Sequence, residues 1–356
     1  MSSLQSLFAM QKSYPIFAGY QSGQVRFSNC SSNFNCSNRM KVIDHIRQAK
    51  KTLISFEILP PLKGKTINSI YEHLDPLMEF KPSFINVTYH RSEHVFKKKM
   101  DGTFDKVEVR KRPGTVGICA AIMNYYHVDA VPHLICGGFN KRETEDALID
   151  LNFIGVDNVL VLRGDAAKNE TVFEPEADGH RYAIDLLKQV VNLNNGIYQE
   201  EDIRDGFRTR FSIGVAGYPE KHFEAPNINS DIQYLKAKVD AGAEYIVTQM
   251  FFDNKKYFDF VANCRAAGIE IPIIPGLKPI TSKRQLTVLP RTFYVDIPDD
   301  LSIEIMKCRA DIDVEKVGGE WLLQQSRELK ESGVPALHYY TLGKTMVIWN
   351  VVKDLV

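Results

Sequence analysis

The sequence predicts an α/β protein folded as a single closed (β/α)8 (TIM) barrel, and three observations carry that expectation. First, eight apolar, strand-like runs recur along the chain, most of them separated by segments of helical periodicity. Such alternation implies parallel strands with helices outside them. Second, the runs end alike, in a polar or ionisable residue beside a turn. ISFEILPP ends at Glu57, FINVTYH at Thr88 and Tyr89, and VLVLRGD at Arg163, Gly164 and Asp165. FSIGVAGYPE ends at Tyr218 and Glu220, IPIIPGL at Gly276 and LHYYTL at Tyr340; VPHLIC carries His133 and YIVTQMFFD carries Gln249. In a barrel of this kind, chemistry collects where the C-terminal strand ends converge. Third, no Gly-x-Gly-x-x-Gly follows the first strand and no phosphate-loop Gly-Lys-Ser/Thr occurs, which counts against an open nucleotide-binding sheet.

The elements follow in order. KVIDHIRQAKK reads as an amphipathic helix with Val42, Ile43 and Ile46 on one side, and TLISFEI as a buried strand. SIYEHLDPLMEF is a helix that Pro82 closes, and FINVTY is the second strand. The charged stretch 90–114 predicts a long loop. GTVGICAAIMNYYHV fits either period, and its length favours a helix. KRETEDALIDLNFIG is a helix ending near Gly155, DNVLVLRGD a strand, and AAKNETVFEPEADGH a polar loop. RYAIDLLKQVVNL is helical. NINSDIQYLKAKVDAG predicts a helix capped by Ser230 and stopped by Gly242. NKKYFDFVANCRAAG ends likewise at Gly268. SKRQLTVLP and LSIEIMKCRA are short helices, and VEKVGGEWLLQQSRELKESG is a long one before the last strand.

Composition sets the class. The 356 residues accommodate one barrel of ~250 residues with extensions. Hydrophobic content of 44% and charged content of 25% are those of a soluble globular protein. The formal net charge is zero, so nothing points to nucleic acid or a membrane surface, and no apolar run reaches the ~20 residues of a membrane span. Six cysteines without a Cys-x-x-Cys read as reduced thiols of a cytoplasmic protein. Among them Cys136, just past His133, is read as a core filler. Residues 1–43 lack Asp and Glu and are rich in Ser and Asn. They have no secretory core and no clear amphipathic helix. Residues 1–40 are therefore expected to be a disordered extension, or sequence upstream of a functional start at Met40, with 41–356 forming the barrel.

Several residues point to chemistry. Glu57 is a lone acid in an apolar strand closed by Pro60 and Pro61. Burial would raise its pKa and suit it to donate a proton; the bland alternative is a structural ion pair. Asp165 follows a buried strand, and Gly164 lets backbone approach a ligand; the alternative is a tight turn with a surface ion pair. His133, Tyr218 and His222 suit a flat heteroaromatic ligand. Gln249 offers a donor and an acceptor to an amide-like edge such as a pterin's or flavin's. Asp231 and Lys238 stand two turns apart on one helix face, fit for ribose and phosphate or simply a solvated face. No histidine pair has metal-binding spacing, and no metal is expected.

In order, SFEILPP, VTY, PHLIC, VLVLRGD, GYPEKH, KVDAGAEYIVTQMFFD, IPIIPGLKPI and HYYTL resemble the methylenetetrahydrofolate reductase family, from residue 41 to the C-terminus. The resemblance implies a (β/α)8 barrel carrying FAD. It implies that NADH or NADPH reduces 5,10-methylenetetrahydrofolate to 5-methyltetrahydrofolate by ping-pong hydride transfer, supplying methyl groups for methionine synthesis. It gives Glu57 the role of general acid at N10 of the folate, and Asp165 a place between flavin and folate. Gln249 would contact the pterin and the nicotinamide, with Gln285, Leu289 and Lys344 as further substrate contacts. FAD would meet Thr88, Tyr89, His133, Arg163, Gly164, Asp165, Tyr182, Ala183, Tyr218, His222, Ala225, Asp231 and Lys238. Departures are Tyr234 and Ala237 in place of Asn and Arg on the FAD helix, Leu289 in place of a phenylalanine, and Lys344 in place of an arginine. The last loses bidentate geometry. The resemblance further implies a homo-oligomer, and a catalytic barrel of the bacterial type without the regulatory domain through which S-adenosylmethionine acts. Two other readings are a flavin barrel for another substrate, such as proline dehydrogenase, and a non-enzymatic folate or flavin carrier. Glu57 discriminates, because neither amine oxidation nor carriage needs a proton donor.

Overall fold

A computed structural model describes residues 39–166 and 172–356. The expectations for residues 1–38, and for 167–171 of the loop after Asp165, lie outside the described residues. The chain opens with α1 (Val42–Gln48), β1 (Leu53–Ile58), α2 (Asn68–Leu74), a 3-10 turn (Asp75–Phe80) and β2 (Phe84–Val87). There follow β3 (Glu93–Lys98), β4 (Phe104–Val109), α3 (Thr115–Tyr126), β5 (Asp129–Ile135), α4 (Lys141–Phe153) and β6 (Asn158–Leu162). Next come α5 (Ala183–Asn194), β7 (Ser212–Gly217), α6 (Ile228–Asp240), β8 (Tyr245–Thr248) and α7 (Asn254–Ala266). The last are β9 (Ile273–Ile274), β10 (Gly276–Leu277), α8 (Gln285–Phe293), α9 (Asp299–Lys307), α10 (Asp311–Glu331), β11 (Ala336–Tyr340) and α11 (Thr345–Leu355).

One sheet runs β10-β11-β1-β2-β5-β6-β7-β8-β9, with every pair parallel. Its two outermost members, β9 and β10, flank Pro275 and are halves of one stave, so the ring closes on itself with eight. Proline has no N–H to give the ladder, which explains the interruption. Its carbonyl still accepts from His338 N–H at 3.1 Å, carrying the ring across the gap.

Alternation along the staves sorts side chains into two layers. Phe84, Val131, Leu160, Tyr245, Val247, Ile274 and Ala336 fill the lower interior. Phe56, Ile85, Val159, Val161 and Leu277 face outward to helix residues such as Leu186, Leu187 and Leu329. Val42 of α1 belongs to the interior cluster, so α1 plugs the N-terminal end. Two polar clamps hold the plug: Val42 N–H donates to Asn158 Oδ1 at 2.7 Å, and His45 Nε2 lies 2.7 Å from Asp129 Oδ2. Met40 N–H also donates to Asp129, adding a third contact to the clamp.

The structure corrects the sequence reading in five places. The stretch 90–114 is not all loop: β3 and β4 form an antiparallel hairpin, with Phe96 and Phe104 exposed on it. The cap of α6 is Asn227, whose side chain accepts from Ser230 N–H; Ser230 lies inside the helix. Helix α8 runs through Pro290 to Phe293. The seventh stave, read as ending at Gly276, runs one residue further, to Leu277. The closing helix α11, which packs Val347, Ile348, Val351 and Val352 inward, was not anticipated.

Gly276 shows how tightly the interior is filled. Tyr340 lays its ring across it to give its hydroxyl to Thr248 O at 2.6 Å. A Cβ at 276 would stand 2.2 Å from Thr248 O and 2.4 Å from the Tyr340 hydroxyl. Gly276→Ala is therefore expected to cost at least about 1–3 kcal/mol in urea unfolding. Gly117→Ala on α3, where a Cβ meets nothing within 4 Å, should instead gain up to about 1 kcal/mol. Equal effects from the two substitutions would contradict this packing.

Candidate active site

Residues two apart on a stave share a face, so the inward positions above the apolar plug are Ser55 and Glu57 on β1, Asn86 on β2, His133 on β5, and His338 and Tyr340 on β11. Register sets Glu57 beside Asn86 on one side and Tyr340 on the other, and Ser55 beside His338. Glu57 is only 7% exposed. Its Oε2 lies 3.3 Å from His133 Nε2 and 3.5 Å from His338 Nε2. Ser55 Oγ lies 2.8 Å from His338 Nδ1, and Asn86 Nδ2 lies 3.4 Å from His133 Nε2. The Glu57 carbonyl accepts from Thr341 N–H and from the Thr341 hydroxyl, at 3.1 and 2.7 Å.

The expectation that burial would raise the Glu57 pKa fails. Desolvation is the largest influence and does act upward, but the two imidazoles together outweigh it and hold the carboxyl at about 2. The attraction operates when an imidazole carries a proton. The depressed value makes Glu57 a carboxylate rather than a neutral acid. His338 Nε2 is buried without a hydrogen-bond partner among the described residues; at 3.5 Å its contact with Glu57 is an ion-pair distance rather than a hydrogen bond.

The other candidates ring the same mouth. Thr88 is buried just past β2, and Thr88 Oγ1 and Asn86 Oδ1 lack partners among the described residues. Tyr89 lies 5.0 Å from the Phe139 ring and under the Arg110 guanidinium, which donates to its hydroxyl. Burial raises its pKa. Arg163 pairs with Glu224 and covers Phe173 at 5.2 Å. Gly164 turns the chain with φ +83°, its missing Cβ leaving room for Ile135. Asp165 is exposed beyond β6, and its charge reaches Tyr218 and His90. Tyr182 caps α5 and Ala183 begins it.

Around β7 the charged-face alternative for Asp231 and Lys238 gives way. Asp231 is buried and accepts from His222 N–H at 2.9 Å. Lys238 reaches in from α6 to donate to Ala216 O at 3.1 Å, and burial, partly offset by Asp231, lowers its pKa to about 8. Tyr218 meets His222 edge-on at 4.7 Å. Burial and then Arg163 lower the His222 pKa. Ala225 is buried, and its carbonyl accepts from Lys221. Cys136 is the core filler it was read as: it is buried, and its thiol is pushed up to about 12 by that burial.

The substrate-side candidates are less free. Gln249 folds its Oε1 onto Met250 N–H at 2.9 Å. Gln285 Oε1 accepts from Thr281 N–H at 2.7 Å, bracing the turn into α8. Leu289 packs with Met250, Phe252 and Ile280. Lys344 pairs with Glu315 at 2.7 Å. A groove of about 490 Å³ beside α7 and α10, lined by residues such as Phe252, Lys255 and Trp321, contains none of these candidates. Ser55, Asn86 and His338 were not singled out in the sequence. Counting back by two from each strand end would have found them.

A reductase-family model, methylenetetrahydrofolate reductase, matches residues 41–356. The chain belongs to this family. It is 30% identical over 316 residues to a probable methylenetetrahydrofolate reductase (NADPH) of Caenorhabditis elegans, covering 88% of this chain and 43% of that protein. It is 31% identical to methylenetetrahydrofolate reductase 1 of Schizosaccharomyces pombe, covering 89% and 48%. It thus spans about half the length of these relatives. A 5,10-methylenetetrahydrofolate reductase of Salmonella typhimurium is 29% identical, with 85% of this chain and 90% of that one covered. Among solved structures, a Clostridium thermocellum protein described as binding two copies of 5-methyl-5,6,7,8-tetrahydrofolic acid superposes with TM-score 0.55 at 14% identity, over 87% of this chain and 97% of its own. That likeness shows the shared fold. Of the positions expected to depart from the family, Tyr234 is exposed on α6 and Leu289 is buried.

The Glu57 cluster makes a pH prediction. A carboxyl at about 2 rather than 4.5 contributes stability that is present above about pH 4.5 and is lost as pH falls toward about 2. His338→Gln removes one attraction while leaving the desolvation. The Glu57 carbon-13 carboxyl titration should then move upward, and acid unfolding should begin at higher pH. An unmoved titration would show that His338 exerts no pull.

Proposed function

We propose that this chain catalyses the FAD-dependent reduction of 5,10-methylenetetrahydrofolate to 5-methyltetrahydrofolate, with NADH or NADPH as reductant in a ping-pong cycle. The observation that carries the reading is Glu57, a buried carboxylate between two imidazoles at the mouth of a barrel of this family. The mouth also fits a flat, polar cofactor. Thr88 Oγ1 and Asn86 Oδ1 are buried polar atoms still lacking partners among the described residues, and Tyr218 and His222 offer an aromatic wall.

The residues that would hold FAD are Thr88, Tyr89, His133, Arg163, Gly164, Tyr182, Ala183, Tyr218, His222, Ala225, Asp231 and Lys238. Bound FAD would supply the hydride-transfer chemistry. Glu57 delivers a proton to N10 of the folate, so that the five-membered ring opens to a cationic iminium. Because Glu57 rests as a carboxylate, it takes up a proton before it delivers one. Asp165 holds a fixed negative charge near the iminium and favours its formation. Gln249, with its carbonyl end occupied by Met250, has its amino end for the pterin.

An anaerobic titration followed at the flavin band tests the reading. NADH should bleach the FAD-loaded protein, and 5,10-methylenetetrahydrofolate should restore the colour. Glu57→Gln should bleach normally yet recover roughly 10²- to 10⁴-fold more slowly. Bleaching without recovery in the unsubstituted protein would discard the folate, and failure to take up FAD would discard the flavin enzyme.

A further inference from the structure

Glu220 is used by none of the roles above. It stands just past β7, in the turn that carries the flavin candidates Tyr218 and His222. Its Oε2 accepts from Asp296 N–H at 2.8 Å, a contact between segments 76 residues apart. Asp296 lies just beyond α8, the helix of Gln285 and Leu289. A second tie runs beside the first: Phe223 stacks on Tyr294 with ring centres 4.8 Å apart and planes 14° from parallel. Between the two ties, Val295 is buried in one apolar cluster with Leu289 and Met250. The segment 294–296 is therefore part of the packing of α8, and what holds Asp296 also holds Leu289. The two ties join the flavin candidates of the β7 turn to the substrate candidates of α8.

The Glu220 tie is unequal in its two protonation states. Glu220 Oε1 is buried without a hydrogen-bond partner among the described residues. The charged groups that act on this carboxyl are Asp296 and, from α7, Lys256, which itself pairs with Asp296 at 3.2 Å. Burial raises the Glu220 pKa to about 7; the bond from Asp296 N–H and the charge of Lys256 oppose the rise, and the Asp296 carboxylate adds to it. A glutamate in water ionises near 4.5. Closing the tie on an ionised Glu220 therefore costs free energy that closing it on the neutral acid does not. The sign follows: the closed form is fully favoured below about pH 4.5, and that advantage is lost as pH rises to about 7.

We propose that Glu220 is a positioning residue, which latches α8 to the turn after β7 while it carries a proton and lets α8 loosen when it ionises. The consequence for substrate rests on the folate reading above. With the latch open, Gln285 and Leu289 lose their fixed places and the folate binds more weakly, although Glu220 itself touches no substrate.

Amide hydrogen exchange and folate affinity, both measured on the FAD-loaded protein, test the latch. Exchange over residues 285–296 is expressed as protection factors, which correct for the intrinsic effect of pH, at about pH 5.5 and about pH 8. In the unsubstituted protein, protection should fall roughly 10- to 30-fold between the two. Glu220→Gln keeps the acceptor and cannot ionise, so it should hold the low-pH protection at the higher pH. Glu220→Ala should be poorly protected at both. The dissociation constant of 5-methyltetrahydrofolate, measured by calorimetry, should rise with pH in the unsubstituted protein relative to the glutamine variant. A fall in protection that persists in Glu220→Gln would overturn the latch. So would an alanine variant as well protected at low pH as the unsubstituted protein. A purely structural Glu220 would give a poorly protected alanine variant and no fall with pH in the unsubstituted protein, which would equally overturn it. Protection that follows pH while the relative affinity stays flat would overturn the link to substrate. A protein that binds no 5-methyltetrahydrofolate at either pH would overturn the folate reading instead, and the protection factors would still decide the latch.

Discussion

The site turns on one electrostatic balance. Glu57 is buried in the barrel interior, where losing water would ordinarily favour the neutral acid. Two imidazoles, brought in by β5 and β11, reverse that preference. The barrel is built to allow it. An apolar plug from Val42 to Ala336 closes the lower interior, and the polar groups begin only above it. Ser55 and Asn86 each lie beside one of the histidines, and Thr341 ties the Glu57 carbonyl to the strand next door. If β1 slipped by one residue, Glu57 would face the outer helices and leave its place between the two histidines.

Around that centre the ring divides by charge. The arc from β5 to β7 carries basic groups that already have acidic partners: Arg163 with Glu224, and Lys238 with Asp231 near it. Beyond β10 and β11 lie Lys278 and Lys344, and Lys344 pairs with Glu315.

Much of this was legible in the chain, for identifiable reasons. The staves announced themselves because each is a mostly apolar run, and Glu57 stood out because no other charge interrupts its run. The direction of its pKa was not legible. Its partners, His133 and His338, come from distant parts of the sequence, and a single strand shows the burial without showing what opposes it. The hairpin of β3 and β4 was missed because both strands are largely exposed and so lack an apolar face. Asp101-Gly102, a turn pair common in hairpins, was the signal available. The cap of α6 was misread because Asn227 and Ser230 are both good capping residues, and only the geometry shows which accepts.

The contact between Gly276 and Tyr340 has a consequence for how this barrel can drift over generations. The hydroxyl that reaches Thr248 occupies the volume any side chain at 276 would need. The two positions are therefore one inherited unit. A lineage could enlarge residue 276 only after shrinking residue 340, and the intermediate would have surrendered the hydroxyl that closes the last stave onto β8. Change at this seam requires two substitutions in a fixed order, so the seam should be among the slowest parts of the barrel to diverge.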